Sequence, residues 1–254
     1  MKYILSDANR ELLAQLACSR VLLAFDFDGT LAPIVSARER AGMRARTHAL
    51  FQRACELYPC AVISGRSRED VLSRVSDASV KYVVGNHGLE PGDHVERFEH
   101  AVQRATPLLA RAIEADPACR GCEIEDKRYS LAVHYRKARE KRKAQNAIEA
   151  AVRALPEPMR IIGGKLVVNV VPDGAPHKGD ALTALRTGAG ADTALYVGDD
   201  ITDEDVFELD QPGRLLGIRI GASRRSAAPY YLRDQREIDP LLATLNKLRG
   251  SAKS

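Results

Sequence analysis

The chain contains no tryptophan, and no apolar run approaches the roughly 20 residues that cross a bilayer. A membrane-spanning helix is therefore not expected. Asp7, Arg10 and Glu11 stand where a secretory leader would need unbroken apolar residues, so no targeting segment is expected either. Cysteine is sparse and odd in number: Cys18, Cys55, Cys60, Cys119 and Cys122. Such a scattered set suits reduced thiols in a cytoplasm rather than a disulfide framework. Cys119 and Cys122 form a C-x-x-C, which is half of a tetrahedral zinc site, and no second pair or nearby histidine completes it.

A dominant charge is also missing. Lys and Arg total 38 against 34 Asp and Glu, for a net charge of +4. That balance suits an anionic substrate, but nucleic-acid binding would need clustered charge and aromatics. The one dense basic tract, Arg136 to Lys143, has six Lys/Arg and one Glu with no aromatic among them. It reads as the solvated face of a helix, and neither nucleic acid nor a membrane is expected as a partner.

What is present starts at residue 21. The apolar run Val21-Leu22-Leu23-Ala24 leads into Phe25-Asp26-Phe27-Asp28-Gly29-Thr30-Leu31-Ala32-Pro33. On a strand, positions i and i+2 share a face, so Asp26 and Asp28 are expected to start out as neighbours. Two close carboxylates repel unless a cation lies between them or one holds a proton. Both solutions suit an enzyme that attacks phosphate, with one Asp as nucleophile, the other as acid and base, and Mg²⁺ between.

Short apolar runs alternate with helical patterns around this motif. Strands are expected at 21–27, 61–64, 82–85 and 194–198, and helices at 46–57, 67–75, 178–187 and 202–209. Strand–helix alternation predicts a parallel sheet with helices on both faces and the site at the carboxyl ends of the strands. From about Val95 the order becomes α-β-β-α-β-β, with helices at 98–115 and 139–155 and strands at 122–126, 130–136, 159–162 and 166–171. That order predicts an antiparallel sheet covered on one face by two helices. The expected organisation is a core of 1–94 and 173–254 interrupted by an α+β insert of 95–172.

Three further motifs fall at strand ends or just beyond. Ser64-Gly65-Arg66 is either a plain turn or a phosphate holder, since a hydroxyl and free backbone N–H groups can hold a phosphate oxygen. Lys178, at the start of a helix, opposes the macrodipole; bracing Asp26 and a bound phosphate would explain it, and a solvated lysine is the alternative. Gly198-Asp199-Asp200-Ile201-Thr202-Asp203-Glu204-Asp205 crowds five acidic residues at a strand end, more than helix capping requires. Magnesium takes oxygen ligands from one or two carboxylates and keeps waters for the rest.

The order and spacing of these four motifs resemble the haloacid dehalogenase-like phosphotransferases. The resemblance implies a Rossmann-like core with an inserted cap, Asp26 as nucleophile and Asp28 as general acid and then base. It gives Ser64 and Lys178 as phosphate holders, with Thr30, Gly65 and Arg66 beside the phosphate. Asp199 is the leading Mg²⁺ ligand with Asp26 and the Asp28 backbone carbonyl, and Asp200 and Asp203 are second candidates.

The likeness goes further, to the trehalose-6-phosphate phosphatases, over about residues 20–220. It rests on the residue 25–33 motif, Gly85-Asn86-His87-Gly88, the residue 198–204 motif, Glu125-Asp126-Lys127 through His134-Tyr135-Arg136, and Gly164-Lys165-Leu166-Val167-Val168. In that family the cap closes over the sugar, which implies sugar contacts for Glu125 and Lys127 and places Asn86, His87 and Arg136 among the substrate residues. One departure stands out: Asn169 occupies the place of a family glutamate. Asparagine still accepts and donates, but the charge is gone. Trehalose 6-phosphate is the implied substrate, and a related glycosyl-phosphate stays open. A separate trehalose-phosphate synthase would be the implied supplier. A non-catalytic sugar-phosphate sensor and a phosphotransferase remain alternatives on the same fold.

Overall fold

Leu22 and Ala24 point to one face of a strand and Leu23 and Phe25 to the other, and both faces are dry. This strand, β2 (Val21–Phe25), is buried along its whole length, as a strand covered on both sides must be. The computed structural model describes residues 1–35, 40–92, 95–164, 166–209 and 211–251. Lys165 and the expected boundary residue 94 lie outside the described residues.

Met1–Gly88 and His177–Ser254 form one compact unit, and Leu89–Pro176 a second. In the first unit β2 joins β1 (Lys2–Tyr3), β3 (Cys60–Ile63), β4 (Tyr82–Val84), β9 (Thr193–Gly198), β10 (Leu215–Ile220) and β11 (Tyr230–Leu232). The seven strands are all parallel, in the order β1-β11-β10-β9-β2-β3-β4. Against one face pack α1 (Arg10–Cys18), α2 (Ala45–Leu57), α3 (Arg68–Val75) and α8 (Ile238–Ser251), burying Leu13, Phe51, Val71 and Leu241. Against the other pack α6 (Lys178–Gly188) and α7 (Glu204–Phe207), through Leu182, Val206 and Phe207. Each such fully buried side chain contributes about 1.5–3 kcal/mol. The chain leaves β2 toward β3 on one side and returns to β9 on the other. That reversal opens a crevice at the carboxyl ends of β2 and β9, the place where parallel sheets bind ligands.

The second unit is an antiparallel sheet, β5 (Glu123–Asp126), β6 (Leu131–His134), β8 (Val167–Pro172) and β7 (Met159–Gly164), in the order β5-β6-β8-β7. Leu131, Val133, Val168 and Val170 face α4 (Glu96–Ala115) and α5 (Lys141–Arg153), which cover one side. By alternation Ala132, His134 and Asn169 face the other way. This α-β-β-α-β-β unit and the parallel core agree with the fold expected from the sequence.

Two differences are local. The helix expected at 202–209 is a 3₁₀ turn, Ile201–Asp203, followed by the single-turn α7. The Asp203 carboxylate draws the N–H groups of Asp199 and Asp200 onto itself and winds the segment tightly. Strands β1, β10 and β11 and helices α1 and α8 complete the core and were not foreseen.

Candidate active site

Asp26 is the first residue after β2, and its N–H bonds to the Val197 carbonyl of β9 at 2.9 Å. The carboxylate is 5% exposed, and Lys178 Nζ donates to its Oδ1 at 2.7 Å. The same ammonium donates to Asp203 Oδ1 at 2.8 Å. Lys178 is the first residue of α6. His177 caps that helix, with Nδ1 accepting from Gly179 N at 3.1 Å and Asp180 N at 3.3 Å.

Asp203 is wholly buried and uses both oxygens. Oδ1 also accepts from the Tyr196 hydroxyl at 2.6 Å, and Oδ2 accepts from Asp199 N at 2.8 Å and Asp200 N at 2.9 Å. Four donors on one carboxylate make it the frame that holds Lys178 and the acidic loop together.

The carboxylates of Asp26, Asp199 and Asp203 bring oxygens within 4.8 Å of one another, the one such cluster among the described residues. Three carboxylates therefore face one ammonium. Burial pushes Asp26 well above the usual carboxylate range despite Lys178, and the charges of Asp203 and Asp199 push it the same way. Burial, then Asp203 and Asp200, push Asp199 up to about 7. Burial alone would lower Lys178, but Asp203 and Asp26 outweigh it and hold the ammonium well above the lysine range.

Asp199 Oδ1 is buried with no hydrogen-bond donor. Excess negative charge, hard oxygen donors and one unpartnered carboxylate oxygen fit a divalent cation such as Mg²⁺. Asp26 and Asp199 are the carboxylates open to it, because the oxygens of Asp203 are already engaged. Gly29 makes room for this arrangement: its φ is +88°, and a Cβ there would lie 2.1 Å from Asp199 Oδ2.

Asp28 does not join that cluster. β2 ends at Phe25, and the turn after it is closed by Ala32 N bonding to Phe27 O at 2.8 Å, so strand alternation does not carry past Phe25. Asp28 instead accepts two bonds from Arg66, Nε at 2.6 Å and Nη2 at 2.7 Å. Arg66 Nη1 donates to Asp70 at 2.6 Å, so the guanidinium expected beside substrate faces carboxylates. The carboxylate of Asp200 also lies outside the three-residue cluster.

Ser64 follows β3, and its Oγ accepts from Arg66 N at 3.2 Å. The buried Asn86 and His87 have left-handed backbone, φ +48° and +59°, and are tied to this turn through Asn86 N to Arg66 O and His87 N to Ser64 O. The His87 ring lies on Gly65, where a Cβ would come within 2.5 Å of Cε1. Left-handed non-glycine residues cost energy and gather at functional sites. Thr30 Oγ1 is buried with no hydrogen-bond partner, and Gln235 Nε2 holds the Thr30 carbonyl at 2.8 Å.

In the second unit, Glu125 pairs across β6 with Ala132, and Ala132 pairs with Asn169 of β8, so all three share one row. His134 Nε2 and Glu125 Oε2 are 2.9 Å apart. Lys127, buried in the β5–β6 hairpin, donates to Asn169 Oδ1 at 3.4 Å. Arg136 is exposed beyond β6. The five cysteines are free, and burial pushes Cys119 up to about 11.

Tyr196, Asp70 and Gln235 were missed from sequence. Tyr196 could have been found as the hydroxyl set within the apolar stretch Ala194–Val197, and Asp70 by its i, i+4 spacing from Arg66. Nothing local marks Gln235.

A parallel sheet carrying an Asp at the end of its switch-point strand, a helix-start lysine and an acidic loop defines the haloacid dehalogenase-like class. The chain belongs to the trehalose-phosphatase family, whose model matches residues 24–236. It is 37% identical over 211 residues to a trehalose-phosphate phosphatase of Mycolicibacterium paratuberculosis, covering 77% of this chain and 53% of that protein. It thus spans about half the length of that relative. With a trehalose 6-phosphate phosphatase of Zea mays it shares 31% over 268 residues, covering 94% of this chain and 73% of the other. The C-terminal domain of Candida albicans trehalose-6-phosphate phosphatase has the same fold, with TM-score 0.76, 23% identity, and 95% and 97% of the two chains covered.

Proposed function

We propose that the chain is an Mg²⁺-dependent phosphatase that hydrolyses trehalose 6-phosphate to trehalose and phosphate. The observation that carries the reading is Asp26, buried beside Lys178 in a cluster with one carboxylate oxygen unpartnered.

Asp26 attacks phosphorus and the bond to the sugar oxygen breaks, leaving an aspartyl-phosphate. Asp28 gives a proton to the departing oxygen, then takes one from the water that releases phosphate. Lys178, Ser64 and Thr30 hold the phosphoryl oxygens, with the Gly65 turn beside them. Asp26, Asp199 and the Asp28 carbonyl would hold Mg²⁺, which neutralises charge on the transferring group.

The second unit takes the role of cap. Glu125, Lys127, Asn169 and Arg136 are its residues for recognising the sugar, and Asn86 and His87 are substrate residues of the core. Asn169 in place of a carboxylate favours a second reading, a related glycosyl-phosphate as the preferred substrate. A separate synthase supplies the substrate, and five free thiols support a reducing, cytoplasmic setting.

The test is phosphate release with Mg²⁺ from trehalose 6-phosphate, glucose 6-phosphate, sucrose 6-phosphate and a glucosyl-phosphoglycerate. Preference for trehalose 6-phosphate is expected. Preference for another member would favour the second reading, and no release from any would overturn both.

A further inference from the structure

Arg66 holds two carboxylates, and only one of them has a part in the reaction proposed above. Its guanidinium is 3% exposed and lies over the Phe27 ring at 5.8 Å. One edge, Nε and Nη2, grips both oxygens of Asp28 at 2.6 and 2.7 Å. The remaining nitrogen, Nη1, donates to Asp70 Oδ2 at 2.6 Å. Asp70 is itself fixed from behind, because its Oδ1 accepts from Arg74 Nη2 at 2.8 Å and Nε at 3.1 Å.

Asp70 lies on the first turn of α3, whose N-cap Ser67 accepts from Asp70 N. The four residues form a row of alternating charge, Asp28–Arg66–Asp70–Arg74, anchored on a helix at one end and free at the other.

The free end is where the chemistry lies. Each Asp28 oxygen accepts one Arg66 N–H and keeps a further lone pair, but the two-pronged grip fixes the carboxylate's orientation, so turning it away from the fork costs at least one of those bonds. A buried guanidinium resists losing a carboxylate, because the charge it leaves is desolvated. The Asp70–Arg66 bond uses none of the atoms that hold Asp28, and Arg74 holds Asp70 independently of Asp28.

We propose that Asp70 is a positioning residue for Asp28: it fixes the Arg66 fork and keeps that guanidinium paired while Asp28 turns to the phosphoryl group. The inference rests on the phosphatase reading. Removing the Asp70 charge would leave Arg66 holding Asp28 more tightly, which slows turnover without touching the groups that bind substrate.

The test compares Asp70→Asn, Asp70→Glu and Asp28→Asn, alone and combined, with thermal unfolding of each. With trehalose 6-phosphate and Mg²⁺, Asp70→Asn is expected to lower kcat about ten- to hundredfold, the worth of a charged hydrogen bond. KM should stay within about threefold, because substrate binding is untouched. Asp70→Glu, which keeps the charge, should recover most of the rate.

In an Asp28→Asn background, Asp70→Asn should change nothing further. That residual activity is read as the p-nitrophenolate burst from p-nitrophenyl phosphate, whose leaving group needs no proton. Should Asp70→Asn fail to fold, Asp70→Ser carries the same comparison. An unchanged kcat, or an equal loss with and without Asp28, would overturn the inference. A wild-type protein that releases no phosphate from any sugar phosphate would overturn the phosphatase reading and this inference together.

Discussion

Lys178 and Asp203 form an ion pair of 2.8 Å in which neither side chain meets water: they are 2% and 0% exposed. Asp203 takes no direct part in the proposed reaction, yet the position of the reacting groups depends on it. Asp203→Asn would place an amide where only donors point, breaking bonds to Lys178, Tyr196 or the Asp199–Asp200 turn. Losing one partner of a buried pair costs roughly 3–5 kcal/mol, or roughly a 10 °C drop in Tm for a chain of this size. Thermal unfolding should show that drop together with loss of phosphate release. An active Asp203→Asn protein of unchanged Tm would contradict it.

Asp26→Asn separates activity from stability. Burial and two neighbouring carboxylates already disfavour the charge on Asp26. Removing it should abolish turnover while leaving the metal-free Tm unchanged or higher, and Lys178 keeps Asp203 as its partner. A fall in Tm as large as that of Asp203→Asn would mean the site is not overcharged.

The pH dependence has a definite sign. Asp199 is pushed up to about 7 by burial, Asp203 and Asp200, against about 4 in an unfolded chain. The folded protein therefore binds more protons between those values. This group's contribution to metal-free stability is full below about pH 4 and lost as pH rises through about 7. Mg²⁺ competes with the same proton, so its effect on Tm should be larger near pH 8 than near pH 6. Melting curves at both, with Mg²⁺ and with EDTA, check this; equal shifts would contradict it.

Asn169→Glu tests sugar recognition. The substitution puts a carboxylate beside Lys127, which now donates to the Asn169 amide oxygen at 3.4 Å. KM for trehalose 6-phosphate should move by about tenfold, with no change for p-nitrophenyl phosphate, which has no sugar. Equal changes in both substrates would remove Asn169 from sugar binding.

Much of the fold was legible because β2, β3 and β9 are short apolar runs that end in the residues of interest. The α-β-β-α-β-β order of the second unit was equally plain. The outer strands β1 and β11 carry only two and three residues, too few for any pattern to register. β10, Leu215–Ile220, was a readable apolar run and was missed. Within the site, the motifs pointed to Asp26, Lys178 and Asp199, which the fold brings together, and to Lys178 bracing Asp26, but not to the frame that Asp203 makes. That Asp28 turns to Arg66 follows from β2 ending at Phe25, which alternation alone does not mark. Lys178 meets Asp203 as well as Asp26 only because α6 delivers it between β2 and the acidic loop, a tertiary fact with no local signature.

The most direct measurement is of where the phosphoryl group goes. The protein is mixed with Mg²⁺ and trehalose 6-phosphate, quenched in acid within the first turnover, digested and examined by mass spectrometry. A phosphoryl adduct on the peptide carrying Asp26, absent with EDTA and absent in Asp26→Asn, is the predicted result. Phosphate release that continues in Asp26→Asn, or an adduct on another residue, would contradict Asp26 as the nucleophile.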